Sequence, residues 1–418
     1  MDPFRQPADP EIAALVRAAQ ASARGRRRHG PSRRDVLGLA ALGIGGGALA
    51  ACAPPEPPTA GVAAVELPQD RSDTEKTVGW ANWTAYLDMD DAGKTYPTLT
   101  AFEKQTGIKV SYTEDIDDND TYFNKIAQQL RAKQDINRDI FTFTDWMANR
   151  IIREGLCQPL ELIQMANAGN LLAPLREVSF DPGRQHSLTW QSGFAGIGYH
   201  KKKVGRELKS LEDLWADDLK GRISVLSEFR DTLGLIMQQQ GVDPSGDFTR
   251  EQFEAAIGEL DKRVNDGYIR RIKGNSYLND LKSGNAVAGI VWSGDLFILR
   301  AETEDEDWEF VIPESGGMLW SDNLMVPITS HHRRNAQRVM DYYYEPKVAA
   351  EVAAWVNYIC PVEGAREEME KIDPDLAESP FIFPGEDYIA EHDIVGFRAL
   401  SAQEDADYSA LWAKAVGN

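Results

Sequence analysis

The sequence predicts an α/β protein made of two lobes. Short apolar segments with the pattern of buried strands alternate with amphipathic helical segments from residue 78 onward, which predicts a sheet covered by helices on both faces. The alternation starts again near Phe194. Roughly 340 residues follow the N-terminal region, more than one small hydrophobic core usually holds.

The individual elements follow from hydrophobic periodicity and from glycines that end helices. Residues 108–112 alternate in the manner of a half-buried strand, whereas Phe123 and Leu130 share one face of a helix. Gly107 and Gly155 mark helix ends. The predicted strands are 78–83, 108–112, 139–144, 194–199, 223–226 and 286–292, and the predicted helices are 99–105, 121–133, 146–154, 211–215, 231–240 and 348–357.

The N-terminal residues predict export and lipid attachment. Arg33 and Arg34 precede a weakly apolar, glycine-containing segment at 36–51, a pattern typical of a twin-arginine signal peptide. The segment ends in Leu-Ala-Ala-Cys, which resembles the cleavage box of bacterial lipoproteins, so we expect the mature chain to begin at Cys52 and to be held outside the cytoplasmic membrane by lipid. The alternative is an uncleaved membrane anchor. Residues 52–75, rich in proline and alanine, are predicted to be a flexible linker.

The mature chain is predicted to be strongly acidic. The whole sequence carries a formal net charge of −21, and residues 1–51 hold eight arginines against four acidic residues, so their removal leaves −25. This excess argues against nucleic acid as a partner, because its phosphates would be repelled. It also favours a cationic ligand, although solubility alone accounts for it equally well.

No motif for catalysis or metal binding stands out. GxSxG, HExxH and P-loop patterns are missing, and the six histidines are scattered. Residues 115–120 begin like an EF-hand loop, but Asp120 takes the glycine position and Ile126 the glutamate position, so we expect an acidic loop that caps the next helix. Whether Cys157 and Cys360 form a disulfide is left open. We expect no metal and no cofactor.

Aromatic residues recur beside acids or amides at the ends of predicted strands. The segments are Asn82-Trp83-Thr84-Ala85-Tyr86, Thr144-Asp145-Trp146, Ser227-Glu228-Phe229-Arg230-Asp231 and Val291-Trp292-Ser293-Gly294-Asp295. A fifth such segment, Trp320-Ser321-Asp322-Asn323-Leu324, lies at a predicted crossing between the lobes. Ligands of open α/β sheets bind at the carboxyl ends of strands, so we expect these segments to converge on one cleft. Indole faces attract ammonium groups by about 0.5–2 kcal/mol each, and carboxylates form charge-assisted hydrogen bonds with N–H donors. Rings and acids together suit a flexible, multiply charged amine.

Eight stretches resemble the spermidine/putrescine-binding periplasmic proteins of ABC transporters. They are NWTAY, TAFEKQTGIKVSY, REGLCQPLE, FAGIGYH, LEDLWADDLKGRISVL, SGNAVAGIVWSGDLF, PESGGMLWSDNLMVP and YYYEPKVAAEVAAWVNYICP. They run in the family's order, with similar spacing, from about Asn82 to Gly364.

The resemblance implies two lobes joined by a hinge, with chain crossings near Gly193, Trp320 and Gly364. It also implies a binding protein that closes on a polyamine, putrescine or spermidine, delivers it to an ABC transporter permease, and catalyses nothing. With the predicted lipid on Cys52, we expect a lipid-anchored protein that is a monomer. The predicted division is a signal at 1–51, a linker at 52–75, a first lobe at 76–192 and 320–365, and a second lobe at 193–319 and 366–418.

Ligand-binding positions carry over from the family where the motifs match. Asp322 is expected to hold one ammonium group and Glu228 with Asp231 another, while Trp292 and Trp320 sandwich the chain. The family has a tyrosine at Trp146, has its two acids in the opposite order at Glu228 and Asp231, and has a C-terminal glutamine with no counterpart here. These departures leave the particular amine open. The expected ligand-binding residues are Trp83, Tyr86, Trp146, Glu228, Asp231, Trp292, Trp320, Asp322 and Tyr358.

Three other functions remain open at this point. One is a binding protein for a different organic cation, such as a quaternary amine or a basic amino-acid derivative. Another is a secreted hydrolase, which needs two carboxyl groups facing each other across a groove with one pKa raised. The last is a sensor that docks to a receptor.

Overall fold

The structure, a computed structural model, describes residues 67–90 and 92–417. Its strands form one large mixed sheet and one small hairpin. In chain order they are β1 (Thr77–Trp83), β2 (Lys109–Ile116), β3 (Ile140–Thr144), β4 (Glu177–Val178), β5 (Asp181–Pro182), β6 (Ser187–His200), β7 (Ile223–Leu226), β8 (Ile269–Lys273), β9 (Ala288–Trp292), β10 (Trp308–Val311), β11 (Met318–Met325) and β12 (Val395–Gly396).

The large sheet has the order β2-β1-β3-β11-β6-β9-β7-β8, with β10 paired to β6 and β12 paired to β11. β1 runs parallel to β2 and β3, and we call these three the first strand group. β7 runs parallel to β8 and β9, and these form the second strand group. The antiparallel pair β6 and β11 lies between the two groups. The sheet therefore consists of two α/β halves joined through its two central strands.

Helices connect the strands and cover the sheet. The α-helices are α1 (Pro97–Thr106), α2 (Asn119–Arg131), α3 (Asp145–Arg153), α4 (Ala173–Arg176), α5 (Lys201–Val204), α6 (Leu211–Leu214), α7 (Phe229–Gln239), α8 (Arg250–Asn265), α9 (Tyr277–Lys282), α10 (Ser293–Thr303), α11 (Arg333–Tyr343), α12 (Pro346–Val356), α13 (Ala365–Ile372), α14 (Pro374–Ala377), α15 (Glu386–Glu391) and α16 (Ala402–Val416). Short 3-10 helices lie at Leu162–Gln164, Ala168–Asn170 and Asp217–Leu219.

Side-chain caps and glycines set several helix ends. Asp118 accepts the backbone N–H of Thr121 at 2.9 Å at the start of α2, so the acidic loop caps the next helix as predicted. α8 and α16 each begin with a capping box. The side chain of the N-cap residue, Thr249 or Ser401, accepts the backbone N–H of the third helical residue. The side chain of that third residue, Gln252 or Glu404, accepts the backbone N–H of the N-cap residue. Gly107 ends α1 with a φ of 73°, a left-handed conformation that glycine adopts at little cost.

β6 and β11 carry the chain between the two strand groups. Gly193 on β6 lies opposite Trp320 on β11. Ser192 exchanges backbone hydrogen bonds with Ile359, at 3.2 and 2.7 Å, where the chain returns after α12. The first two crossings predicted from the sequence are thus register partners in the centre of the sheet. The residue bounds given for the two lobes stay a prediction.

The predicted alternation of strands and helices is confirmed, and the differences concern lengths and omissions. The strand predicted at 194–199 is part of the longer β6, which is buried along its whole length. Its first residues are partly polar, and buried partners satisfy their hydrogen bonds. For example, Arg184 donates to the hydroxyl of Thr189 at 2.7 Å. Several elements had no predicted counterpart, among them β8, the central strand β11, α8 and α16. Few side chains of α8 and α16 face the core. Those that are buried are Phe253, Ala256, Leu260, Tyr408 and Trp412.

The N-terminal predictions lie mostly outside the described residues. The twin-arginine signal, Cys52 and the linker as far as residue 66 belong to that part of the chain. Residues 67–75 belong to the folded part, because the N–H of Arg71 donates to the carbonyl of His331 at 2.7 Å and Ser72 is buried. Within the described ranges, no helix is long and apolar enough to cross a membrane.

The two cysteines of the described chain are both buried and unpaired. Burial raises the pKa of the Cys360 thiol to about 12 and raises the pKa of Cys157 still further. A buried thiol that stays protonated is a poor nucleophile and an inert core side chain. The disulfide that the sequence left open is therefore not formed in this structure.

We expect the protein to release two reactive thiols only when it unfolds. A thiol-reactive dye should label Cys157 and Cys360 slowly in native buffer and completely in denaturant without a reductant, because unfolding exposes both side chains. The Cys157→Ser variant, which retains Cys360, should release one thiol fewer. Denatured wild-type protein that yields neither of these thiols until it is reduced would contradict the unpaired state.

Candidate functional site

A cleft of about 480 Å³ lies between the two strand groups. Its walls come from the segments that follow β1, β3, β7 and β9, together with part of β11. These are the strand ends at which the sequence predicted rings and acids to converge. All nine residues predicted to bind ligand line this cleft, and they are Trp83, Tyr86, Trp146, Glu228, Asp231, Trp292, Trp320, Asp322 and Tyr358.

Asp322 projects from the central strand β11, opposite Thr144 at the end of β3. Its carboxyl group accepts the hydroxyl of Tyr86 at 2.9 Å and that of Thr144 at 2.7 Å. Burial raises the pKa of Asp322 to about 7, although the two hydroxyl donors oppose this shift. The two hydroxyl donors thus hold the carboxyl group in a fixed orientation, and no residue in the described ranges gives it a cationic partner.

A hydrogen bond between Asp231 and Trp292 connects the ends of β7 and β9 in the second strand group. Asp231 lies in the first turn of α7, Trp292 ends β9, and the indole Nε1–H donates to the Asp231 carboxyl at 2.8 Å. Burial raises the pKa of Asp231 to about 7, and the indole donor lowers it. This hydrogen bond orients both the ring and the acid toward the shared cleft that they line.

Asp295 is a further acid in the cleft that the sequence did not single out as a ligand-binding residue. Its two carboxyl oxygens accept the hydroxyls of Tyr277 and Tyr358, each at 2.8 Å. Burial raises the pKa of Asp295 to about 6, and the tyrosine hydroxyls oppose the shift. The sequence did indicate that Asp295 could lie in the cleft, because it is the last residue of the strand-end segment that contains Trp292.

The aromatic side chains form a continuous series of edge-to-face contacts. The ring centroids lie 6.4 Å apart for Trp83 and Trp292, 6.3 Å for Trp292 and Trp320, 5.1 Å for Trp320 and Tyr358, and 5.5 Å for Tyr86 and Tyr358. Such contacts fix the rings relative to one another. The two tyrosines also link Asp322 to Asp295, because each donates its hydroxyl to one of these acids.

Two glycines allow the rings to approach the backbone. A Cβ atom at Gly193 would lie 2.5 Å from the ring of Trp320 and 2.7 Å from that of Tyr358. One at Gly294 would also lie 2.7 Å from Tyr358. These distances are shorter than any real Cβ contact, so a side chain at either position would displace a ring of the site.

The Glu228 end of the cleft already contains a cation from the chain itself. The guanidinium group of Arg230 donates to Glu228 at 3.2 Å and to Asp405 at 2.6 Å, and it lies 3.7 Å from the ring centroid of Trp146. Burial raises the pKa of Glu228 to about 8, the charge of Arg230 lowers it, and the charge of Asp231 raises it. This end therefore differs from the Asp322 end, where the described residues form no such pairing.

Polar contacts hold the two sides of the cleft together. The hydroxyl of Ser227, after β7, donates to Asp118 at 2.5 Å, and the backbone N–H of Ser276 donates to Asp117 at 2.7 Å. Asn119 reaches Glu228 at 3.4 Å. The acidic loop that begins like an EF-hand thus links the two halves of the fold across the cleft.

The charges of the cleft are strongly unbalanced. In the described part of the chain its lining includes nine acidic residues against three arginines, Arg153, Arg230 and Arg398, and no lysine. Arg398 pairs with Glu404, and Arg153 lies 4.0 Å from Asp405. None of the three acids Asp231, Asp295 and Asp322 forms an ion pair within the described ranges. Chemically, the arrangement is suited to holding positive charge between rings and carboxyl groups.

The chain is similar in sequence to known binding proteins. Residues 97–380 match the family model described as bacterial extracellular solute-binding protein. A spermidine/putrescine-binding periplasmic protein of Escherichia coli is 26% identical over 327 residues, which are 78% of this chain and 88% of that protein. The putrescine-binding periplasmic protein PotF of the same organism is 25% identical over 335 residues, 76% of this chain and 85% of its own.

A solved structure supports the fold. The spermidine/putrescine ABC transporter substrate-binding protein PotD from Streptococcus pneumoniae, crystallised with calcium and HEPES, superposes with a TM-score of 0.64. The match covers 82% of this chain and 98% of that one at 24% identity. The two-lobed α/β class predicted from the sequence is therefore confirmed.

The chain belongs to the bacterial extracellular solute-binding proteins. The matched relatives are named as solute-binding or substrate-binding proteins and not as enzymes, which agrees with the prediction that the chain catalyses no reaction. The resemblance to the spermidine/putrescine-binding family is likewise confirmed.

We expect Asp322 to make the ligand-free protein less stable as the pH rises. Its pKa is 3.8 in an ordinary environment and about 7 in the fold, so folding favours the protonated form, and that advantage is lost as the pH climbs between these values. The Asp322→Asn variant lacks this ionisation and should become progressively more stable relative to wild type. Chemical denaturation between about pH 4 and about pH 8 measures the difference. The exposed control Glu306→Gln should show no such trend, and a flat Asp322→Asn difference would contradict the buried carboxyl.

We expect the Gly294→Ala substitution to disturb the site by pushing the ring of Tyr358 aside. The Tyr358–Asp295 hydrogen bond should weaken, and the protein should lose about 1 to 3 kcal/mol of stability, as in overpacked cores. Gly258→Ala is the matched control, because nothing lies within 4 Å of a Cβ at that helical position. The control should be neutral or stabilising, since alanine favours helices. Thermal unfolding of both variants tests this prediction. Equal effects of the two substitutions would show that the ring of Tyr358 does not pack tightly against Gly294.

Proposed function

We propose that the protein is the substrate-binding component of a polyamine ABC importer and that it captures putrescine or spermidine in the cleft. Family membership and two Escherichia coli relatives named for polyamine binding support the proposal. The protein itself performs no chemistry on the amine. Its role is to bind the amine, close around it and present it to the permease.

The observation that carries the proposal is the set of unpaired buried acids among aromatic rings. Asp231, Asp295 and Asp322 are each less than 5% exposed, and none has an ion-pair partner in the described ranges. A buried carboxyl group without a counter-ion is costly, and a ligand that brings the counter-ion removes that cost. A diamine or triamine brings several cations on one flexible chain, which matches several acids in one cleft.

Each part of the amine has a proposed partner. One ammonium group binds Asp322, and a second binds Asp231, with Glu228 contributing less because Arg230 already pairs with it. Asp295 adds negative charge near the first site. The rings of Trp292 and Trp320 cover the methylene chain, whose apolar surface gains from burial against flat indole faces.

The location is part of the same proposal. Arg33 and Arg34 would direct export, and acylated Cys52 would anchor a monomeric protein to the outer face of the membrane. Residues 53–66 would leave the folded part free to reach a permease in the same membrane. The periplasmic location stated in the names of the relatives supports this side of the membrane.

We expect Asp322→Asn to weaken amine binding by about 2 to 4 kcal/mol, because it removes one partner of a desolvated charge pair but keeps its shape. Isothermal titration of putrescine and spermidine into both proteins measures the loss. Wild-type affinity should also rise between about pH 5.5 and about pH 8, because the carboxyl group ionises there while the amine stays charged. The pH dependence should be smaller in the variant.

The exposed Glu306→Gln substitution is the control for general charge effects and should leave both affinities unchanged. Equal, small effects of the two substitutions would contradict the proposed site. A thermal-shift screen against amines, amino acids, sugars and metal ions tests the ligand class. A true ligand at 100 times its dissociation constant stabilises the fold by about 2.7 kcal/mol. Stabilisation by a non-amine alone would overturn the proposal.

A further inference from the structure

The cleft continues beyond the rings and acids into a part whose walls are apolar. One wall comes from α4 and the small hairpin, where Leu175, Val178 and Phe180 line the cavity. Another comes from the C-terminal segment, where Val395 of β12 and Phe397 line it. All five residues are partly exposed, so apolar surface is left uncovered here. We call this part of the cleft the apolar extension.

A break in strand pairing lies between the apolar extension and the acids. β6 pairs with one edge of β11. On the other edge, β3 pairs as far as Asp322 and β12 pairs as far as Leu319. Trp320 and Ser321 therefore have no strand partner on that edge among the described residues.

The cavity reaches both faces of β11 at this break. Successive side chains of a strand point to opposite faces, which places Trp320 and Asp322 on one face and Leu319 and Ser321 on the other. All four residues line the same cavity. Leu319 is three residues from Asp322, a distance of about 10 Å along a strand. A chain that starts at Asp322 can therefore pass the open edge and enter the apolar extension.

The cavity has room for more than a diamine. Putrescine has six non-hydrogen atoms, and each fills no more than about 30 Å³, the share of one water molecule in the liquid. Most of the 480 Å³ therefore stays unfilled when putrescine is bound. The unfilled space borders uncovered apolar side chains, and an apolar group that displaces water from them is stabilised by its burial.

The polar residues near the apolar extension offer little to a polar group. Glu177 and Ser179 of the hairpin line the cavity but are exposed to solvent. Arg398 already pairs with Glu404 at 2.6 Å. A hydroxyl group that is buried here without a partner would lose its hydrogen bonds with water, whereas an alkyl group has none to lose.

We propose that the cleft accepts a diamine that carries an alkyl group on one nitrogen, with that nitrogen at Asp322 and the alkyl group in the apolar extension. This inference rests on the proposed function and narrows the class of amine. An alkylated nitrogen is still a charged ammonium group, so it keeps its pairing with the Asp322 carboxylate. An acyl group at the same place would remove the charge.

The experiment compares putrescine with N-hexylputrescine by isothermal titration into wild-type protein. N-hexylputrescine has twelve non-hydrogen atoms, which still fit the volume of the cavity. We expect it to bind at least about tenfold more tightly than putrescine, because several methylene groups are buried against apolar side chains.

The Phe180→Ala variant tests where the alkyl group lies. The advantage of N-hexylputrescine over putrescine should shrink at least about threefold in this variant, because part of the apolar wall is removed. Phe297→Ala is the matched control. Phe297 is also partly exposed and lies under an arginine, with Arg300 at 5.3 Å from its ring centroid as Arg184 is at 5.6 Å from that of Phe180. It does not line the cleft, so the control should leave the ratio of affinities unchanged.

A second measurement uses wild-type protein alone and does not depend on any variant folding. N-(5-hydroxypentyl)putrescine has the same charge and the same number of non-hydrogen atoms as N-hexylputrescine, but its chain ends in a hydroxyl group. We expect it to bind at least about fivefold more weakly than N-hexylputrescine, because the hydroxyl group loses hydrogen bonds with water on burial.

Three outcomes would overturn the inference and leave the proposed function intact, since putrescine still binds wild type. They are N-hexylputrescine that binds no more tightly than putrescine, an unchanged ratio in Phe180→Ala, and equal affinity for the hexyl and hydroxypentyl compounds. Wild type that binds N-hexylputrescine but neither putrescine nor spermidine would refute the proposed function and support the apolar extension. Wild type that binds none of these amines would refute both.

Discussion

The cleft depends on one electrostatic constraint, which is that buried carboxyl groups outnumber the cations that pair with them. Among the described residues, Asp231, Asp295 and Asp322 accept hydrogen bonds only from neutral donors, namely an indole N–H and the hydroxyls of tyrosine and threonine. Burial raises the pKa of all three to between about 6 and about 7, so part of the population carries a proton near neutral pH. A cationic ligand would replace those protons and make ionisation favourable, whereas a neutral or anionic solute would not.

The central strands position these acids with little freedom. β11 carries Trp320 and Asp322, pairs with β3 on one side and with β6 on the other, and so fixes both side chains between the two halves of the fold. The close approach of rings to Gly193 and Gly294 adds a steric limit, because any larger residue would shift Trp320 or Tyr358. The geometry of the site therefore depends on register in the sheet and not on any single side chain.

The contacts between the two sides of the cleft are polar and few. The hydrogen bonds of Asp117 and Asp118 with Ser276 and Ser227 join loops instead of apolar faces. Water can replace hydrogen bonds of this kind at modest cost, whereas it cannot replace a hydrophobic interface. A cleft held shut in this way can open and close as a hinge while the packed core of each half stays intact. The stacked Arg230 and Trp146 add a contact that also shapes the ligand end of the cleft.

The sequence by itself determined the alternation of strands and helices, the strand ends that carry rings and acids, and nine of the residues that line the cleft. Local periodicity and strand-end chemistry are short-range properties, so they can be read along the chain. The tertiary structure alone decided which acids are neutralised: Glu228 is paired through Arg230, which Asp405 also holds from a distant helix, whereas Asp322 is not paired. It also decided that Asp295 faces Tyr277 and Tyr358, and that Cys157 and Cys360 stay apart. These features depend on contacts between residues far apart in the chain, and periodicity carries no information about such contacts.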